Sequence, residues 1–529
     1  MKIIVHSTYS AQTISTNMGR AEYSYYFVLA GYLPALRQLG EVVAVNDPLA
    51  EVDALFDACQ AAGEACVFLC FTPPHLVPVT LRCPTIPVFA WEFSTIPCEM
   101  WGDDPRCDWR VVFAHCKRAI TLSTHTAALV RAAMGEDFPV FAIPTASFEA
   151  FADISAPLPV SAERRLRLHG YLFDSAAESR FRGNPPWPLQ AAPHFGPLPV
   201  EPPAPPPPPP PVAEPAPPPE PARAGLRKRL SITVYYLRGW YRDVLRDILP
   251  RPLSRLVSFT GRSGYRAYRL VVPLPAIAVA PPPPPPPPAE VLPPAPLPLP
   301  ECDVTLRGVV YASVFSPVDG RKNWQDMLMG FVWAFRDNPD ATLILKVPVR
   351  GGLEAYPSLY ALLTQFSPFR CRIILFAGYL DDAEYRTLVD AATYYLNASH
   401  AEGLCLPLME FLSAGRPAVA PNHTAMADYI DERIAFVLKA NLEHNVWPFD
   451  PRDLFTTMRY RLNWESLVTA LHESFAAATT DTARYTAMGA AAREAMRGFC
   501  TLPLVQEKLA VAITFGETPA QIENGMVTA

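Results

Sequence analysis

The sequence predicts two doubly wound α/β domains in series, separated by a long proline-rich insertion. Two observations carry this. Short apolar runs alternate with helix-like segments in two separate stretches of the 529-residue chain. The 62 prolines, well above the usual ~5%, cluster between those stretches. Fully apolar strands separated by helices belong to parallel sheets covered on both faces, and two such regions mean two domains.

In the first stretch the runs are KIIVHS (2–7), VVAVN (42–46), CVFLCF (66–71), PVFAW (87–91), AITLS (119–123) and PVFAIP (139–144). In the second they are GVVYASVF (308–315), ATLILKV (341–347), RIILFAG (372–378), TYYLNAS (393–399), PAVAPN (417–422) and AFVLK (435–439). Segment 481–515 reads as helical and closes the chain. Residues 151–196 show no clear period. The expected boundaries are therefore 1–150, 151–300 (a poorly ordered insertion), 301–480 and 481–529.

Within the insertion, 201–221 and 281–300 are polyproline II material, unable to donate ladder hydrogen bonds and with little to bury. Each serves as an exposed spacer and a potential ligand for a polyproline-binding partner. They bracket a basic island, 223–280. From Arg223 to Arg269 it holds twelve Lys/Arg and two Asp, a net charge of +10 in a chain whose total is −6. Leu237, Trp240, Tyr241, Val244, Leu245 and Ile248 follow one helix face, beside a row of Arg238, Arg242 and Arg246. Aromatics flanked by arginines suit an anionic membrane surface. A helical hairpin packed on the main body, or on a partner, with solvated arginines fits the same pattern. The overall acidity gives no push toward nucleic acid, and none is expected.

Eleven cysteines, an odd number without a Cys-x-x-Cys pair, read as reduced and core-filling. The N-terminal MKIIVHSTYS turns polar too early for a signal peptide, and no run reaches the ~18 residues of a spanning helix. The expectation is a cytoplasmic protein, peripheral on the inner face of the plasma membrane if the island binds lipid.

The chemistry concentrates in AEGLCLPLMEFLSAGRPAVA (401–420). Glu402 stands in a loop after a strand, at the sheet edge where ligands bind in open α/β folds. Pro407 suits the start of a helix, Glu410 falls in its expected first turn, and Gly415 ends it. A helix N-terminus attracts phosphate, and a carboxylate can accept from a vicinal diol. The plainer reading has Glu410 favouring the helix dipole and Glu402 capping the loop.

The stretch 397–430 resembles the Ser-x-x-Glu-Gly-x-x-Leu-Pro-x-x-Glu signature of glycosyltransferase family 4, retaining enzymes of the GT-B fold with two Rossmann-like domains facing a cleft. The Glu-x7-Glu spacing, Gly403, Leu406, Pro407, Gly415 and Pro417 match. The resemblance covers most of 301–440, more weakly 1–145, and none of 151–300. It implies that Glu402 faces the donor sugar and Glu410 binds the nucleotide ribose, with Gly403 and Leu404 in the donor loop. In 308–335, Lys322 matches the lysine that meets the donor diphosphate. The arginine often found about six residues earlier is here Ser316, and Arg321 and Lys346 are the candidates to substitute for it. Gly378, Tyr379 and Leu380 match a loop near the base, and Gly19 a glycine-bearing loop near the phosphates. Glu92, in FAWEFSTIP, stands where many members place an active-site histidine, and either contacts acceptor or sugar or makes a loop salt bridge.

The resemblance implies a nucleoside diphosphate sugar as donor, a glycan, lipid-linked or protein acceptor, retention at the anomeric carbon, and neither cofactor nor metal. Lys322, Glu402 and Glu92 form the expected catalytic set. The alternatives are a non-catalytic GT-B scaffold recruiting partners through its proline tracts, or another GT-B enzyme such as a sugar-nucleotide epimerase or a phosphorylase. Acidic pairs at 103–104 and 381–382 read as helix starts. His115 and His125, beside the strand AITLS, read as structural.

Overall fold

The computed structural model describes residues 1–20, 22–100, 104–157, 159–178, 181, 299–446 and 456–515. The polyproline tracts (Leu299 and Pro300 apart) and the basic island lie outside them, as do the readings placed there. Among the described residues no helix is long and apolar enough to cross a membrane.

The first sheet is built from β1 (Lys2–Ser7), β2 (Glu41–Ala44), β3 (Cys66–Phe71), β4 (Thr85–Phe89), β5 (Ala119–Thr121) and β6 (Val140–Ala142). All pairs are parallel, in the order β2-β1-β3-β4-β5-β6. The order reverses between β1 and β3, which opens a crevice at their carboxyl ends. Every residue of β3 and β4 is buried, as strands covered by helices on both faces require.

The unassigned stretch after residue 150 contributes β7 (Arg164–His169) and β8 (Tyr171–Asp174), and β9 (Glu301–Leu306) follows the insertion. β7 pairs antiparallel with β9. The strand period of β7 is hidden in the sequence because an arginine occupies an inward position. Arg164 is buried and spends its guanidinium on the carbonyls of Ala391 (2.9 Å) and Gly308 (2.6 Å).

The second sheet holds β10 (Val309–Val314), β11 (Ala341–Val347), β12 (Arg372–Ala377), β13 (Tyr394–Leu396), β14 (Ala418–Pro421) and β15 (Ala435–Leu438). Its order, β15-β14-β13-β10-β11-β12-β8, is parallel except for β8 at the edge. The order reverses between β10 and β13, so the loops after those strands share the crevice. A separate antiparallel hairpin, β16 (Ala440–Val446) and β17 (Thr456–Leu462), follows β15.

The helical end is two helices, Thr482–Cys500 and Leu502–Thr514. The second returns to the first domain, where Leu509 and Ile513 share a core with Tyr32 and Leu36 of helix Ser24–Leu39. Arg118 fixes it there by donating to the Ile513 carbonyl at 2.8 Å. The architecture is thus two Rossmann-like domains whose carboxyl edges face one cleft, as the sequence predicts. Eight of the eleven cysteines are buried.

Candidate active site

Three chain segments meet at the cleft. The loop after β13 carries Glu402, the loop after β10 carries Arg321 and Lys322, and the loop after β4 carries Glu92. Asn323 ties the first two by donating from Nδ2 to the Ala398 carbonyl at 3.1 Å, and the His400 amide donates to the Arg321 carbonyl at 2.7 Å. Asn323 adopts a left-handed backbone, φ 51°, at the start of helix Trp324–Ala334. Asparagine tolerates that conformation better than most residues.

Glu402 is 2% exposed. Lys322 Nζ donates to both of its oxygens at 2.8 Å, Arg321 Nη1 to Oε2 at 2.8 Å, and Ser399 Oγ to Oε1 at 2.6 Å. Its own amide donates to Thr424 Oγ1 at 3.0 Å. Burial alone would raise this carboxyl, but the Lys322 and Arg321 cations outweigh it and hold Glu402 well below the usual carboxylate range. It is therefore ionised throughout the neutral range and cannot serve there as a proton donor.

Burial and the neighbouring Arg321 push the Lys322 ammonium down, yet Glu402, together with Cys405 and Asp319, outweighs them, and the Lys322 pKa lies above its ordinary value. Arg321 Nε lies 2.9 Å from Glu92 Oε1 and 3.0 Å from Asp319 Oδ2. Neither oxygen lies along the N–H direction, so these are ion pairs without a formed hydrogen bond. The Glu92 contact joins the two domains. Burial raises the Glu92 carboxyl, with Arg321 opposing, so Glu92 takes up a proton more readily than Glu402. Two cations thus face three carboxylates.

The loops approach closely at Gly403, where a side chain would crowd its neighbours. A Cβ there would stand 3.0 Å from Ala90 Cβ and 3.3 Å from the Trp91 nitrogen. Gly19, at φ +84°, occupies a similar contact on the opposite side, where a Cβ would lie 3.3 Å from Pro348. Beside the Lys322–Glu402 pair lies a small pocket bordered by Ser313, Phe315, Met327 and Asn397.

Glu410 lies apart from this cluster. Helix Leu406–Ser413 begins one residue before Pro407, which places Glu410 in the second turn rather than the first. The difference arises because Cys405, at φ 62°, caps the helix in place of Leu406. The Tyr385 hydroxyl donates to Glu410 Oε2 at 2.5 Å. Burial pushes the Glu410 carboxyl up to about 7, against the opposing pull of Tyr385 and Lys346.

Lys346, 5% exposed at the end of β11, is pushed down to about 8 by burial, with Glu410 opposing. No hydrogen bond or ion pair holds its ammonium among the described residues.

Gly378, Tyr379 and Leu380 follow β12, two strands from the cluster, and do not join it. Leu380 is buried beside β7 and β9. Leu404 likewise gives its side chain to the core, while its carbonyl accepts from Tyr429 at 2.7 Å. Asp381 caps helix Asp382–Ala391 in a reciprocal box with Glu384, which accounts for that acidic pair. Among the described residues, no group of three or more His, Cys, Asp or Glu is placed to hold a metal.

Sequence reasoning missed the hairpin. Thr457 Oγ1 lies 3.3 Å from Ser94 Oγ and 3.2 Å from Thr95 Oγ1, and the Met458 amide donates to Ser94 Oγ at 2.9 Å. The Tyr460 amide donates to the His400 carbonyl at 2.9 Å, and His400 Nδ1 donates back to the Tyr460 carbonyl at 2.8 Å. His423 stacks on the Tyr460 ring at 4.2 Å. The hairpin therefore ties the Glu92 loop to the Glu402 loop. Alternation in 440–446 and 456–462 was its available signal.

No known family matches the sequence, and no curated protein does. Several solved structures are similar in the course of the chain. HepE of Anabaena in complex with UDP and glucose is 10% identical, with a TM-score of 0.46 over 97% of this chain and 99% of that one. A glycosyltransferase of Rickettsia africae is 9% identical, with a TM-score of 0.48 over 99% of each chain. Sucrose-phosphate synthase of Thermosynechococcus elongatus is 11% identical, with a TM-score of 0.45 over 96% of this chain and 97% of that one. The chemistry rests on the site's own side chains.

Proposed function

We propose that this chain is a retaining glycosyltransferase of family 4 that takes a nucleoside diphosphate sugar as donor. The observation that carries the reading is the buried Lys322–Glu402–Arg321–Glu92 cluster, drawn from three segments to the facing carboxyl edges of two doubly wound sheets. In such folds that edge is where nucleotides bind. The domain after residue 300 holds the donor, and the first domain holds the acceptor, a glycan, lipid-linked or protein hydroxyl.

When the sugar C1–oxygen bond breaks, negative charge grows on the departing diphosphate. Lys322 and the positive dipole end of helix Leu406–Ser413, which has no side-chain cap, stabilise it. Because Arg321 and Lys322 already share Glu402, Lys346 supplies the cation missing at Ser316. Glu402 stays ionised, orients Lys322 and accepts from a sugar hydroxyl. Glu92 is the carboxyl better suited to exchange a proton with the acceptor side. Glu410, once ionised, accepts from the ribose diol, and Gly19 lets the first domain approach the phosphates.

A second reading is favoured by the same charge balance. If the three carboxylates keep both cations engaged, the protein binds nucleotide weakly or not at all and acts as a scaffold, with its proline tracts recruiting partners. Titration calorimetry with UDP, GDP and ADP separates the two. The transferase reading expects micromolar binding of at least one, weakened by Lys322→Met. Failure of all three to bind at millimolar concentration favours the scaffold.

A further inference from the structure

At the opposite end of the first sheet from the cleft, three thiols stand together. Cys66 opens β3, Cys83 precedes β4, and Cys59 lies in the last turn of helix Pro48–Ala61. Phe68 stands opposite Thr85, and the Phe68 amide donates to the Pro84 carbonyl at 2.9 Å, so the segment that leads into β4 and carries Cys83 lies beside the start of β3, which carries Cys66. Neighbouring strands run about 4.8 Å apart, within the ~4.4–6.8 Å between α-carbons that a disulfide bridges. The Cys83 amide is held by Asp53 Oδ1 at 3.2 Å.

We propose that Cys66 and Cys83 are a peroxide-oxidisable dithiol that closes to a disulfide linking the starts of β3 and β4. The neighbouring Cys83 and Cys59 thiols favour the Cys66 thiolate and lower its pKa, chiefly through Cys83, while burial opposes. Thiolate is the reactive form. Cys70, four residues along the same strand, is pushed up to about 12 by burial and is an internal reference.

The chemistry balances with hydrogen peroxide as oxidant. The Cys66 thiolate attacks one peroxide oxygen, the O–O bond breaks, and hydroxide leaves and takes a proton to become water. The sulfenic acid formed is then attacked by the Cys83 sulfur. The S–S bond forms, the S–O bond breaks, and a second water departs with the Cys83 proton. Two thiols lose two electrons to one peroxide.

The full-length protein, treated with hydrogen peroxide at pH 7.5, quenched with catalase and alkylated, is digested without reduction. Trypsin together with a glutamate-specific protease cuts at Glu64 and Glu92, which separates Cys59 from Cys66 and Cys83 from Cys98. The expected product is a cross-linked peptide pair holding Cys66 and Cys83, 2 Da lighter than the free thiols and restored by dithiothreitol. Alkylation of Cys66 should fall at least ten-fold faster than that of Cys70. Cys59→Ser should retain the cross-link. Because the wild-type map decides the matter, folding of variants is not needed for the outcome. Equal oxidation of Cys66 and Cys70, or a cross-link that joins Cys66 to Cys59 instead, overturns the assignment.

Discussion

Lys322 donates to both oxygens of Glu402 at 2.8 Å, so the two charges assigned to the donor in the proposed function are already bound to each other. Removing one partner of such a buried pair leaves the other uncompensated, at a cost of about 3–5 kcal/mol. Glu402→Gln and Lys322→Met should each lower unfolding stability by that order. The double variant should recover part of the loss, because replacing both charges with uncharged groups removes the mismatch. Urea unfolding of the four proteins checks this. Additive losses in the double variant would mean that the two side chains are independent.

Lys346 is the contrasting case, a buried ammonium with no bond among the described residues. Lys346→Met should raise stability by about 1–3 kcal/mol, since an uncompensated charge leaves the interior. If it meets the donor diphosphate, the same change should weaken nucleoside diphosphate binding about ten- to hundred-fold, the worth of one charge-assisted hydrogen bond. Calorimetry on the stabilised variant reads both. Unchanged affinity would remove Lys346 from the donor site.

Glu410 sets a pH dependence with a definite sign. Its carboxyl titrates near 4.5 in the unfolded chain and at about 7 in the folded protein. The folded state holds the proton more tightly. Its contribution to stability is therefore full below 4.5 and is lost as pH rises toward 7. Donor affinity should move the opposite way, rising between pH 6 and 8 as Glu410 becomes an acceptor for the ribose diol. In Glu410→Gln both slopes should flatten. Urea midpoints and calorimetry across that range test the pair of trends.

The hairpin predicts a mechanical effect. Thr457→Val removes two hydroxyl contacts to Ser94 and Thr95, each worth about 0.5–1.5 kcal/mol. Amides of 456–462 should exchange faster by a corresponding factor while those of β11 do not change. Equal exchange in both proteins would show that the Thr457 hydroxyl contacts do not hold the hairpin.

The apolar runs located the parallel strands of both sheets, because most of these strands are buried on both faces and need no long-range knowledge. Edge elements were harder to read. β7 carries a buried arginine at 164, and the hairpin is amphipathic, so neither gives a continuous apolar signal. In the site, Glu402 and Lys322 could be found because each sits just after a strand at the switch point. That Arg321 reaches across to Glu92, and Tyr385 to Glu410, depends on how the sheets stand to one another and on a neighbouring helix. Local sequence carries neither. Cys405 in the left-handed region moved the helix start by a residue and Glu410 into the second turn, an effect that needs the φ angle rather than the residue type.

The proposed activation of a nucleoside diphosphate sugar by the cluster at Glu402 can be measured directly. The assay is release of nucleoside diphosphate from a panel of donor sugars, with water as the acceptor, by wild type, Lys322→Met and Glu402→Gln, each checked for retained fold by circular dichroism. The wild type should release it from at least one donor, with a loss of about 10²-fold or more in each variant, the scale for removing one electrostatic stabiliser. Release by all three proteins at the same rate would contradict the proposed role of the cluster.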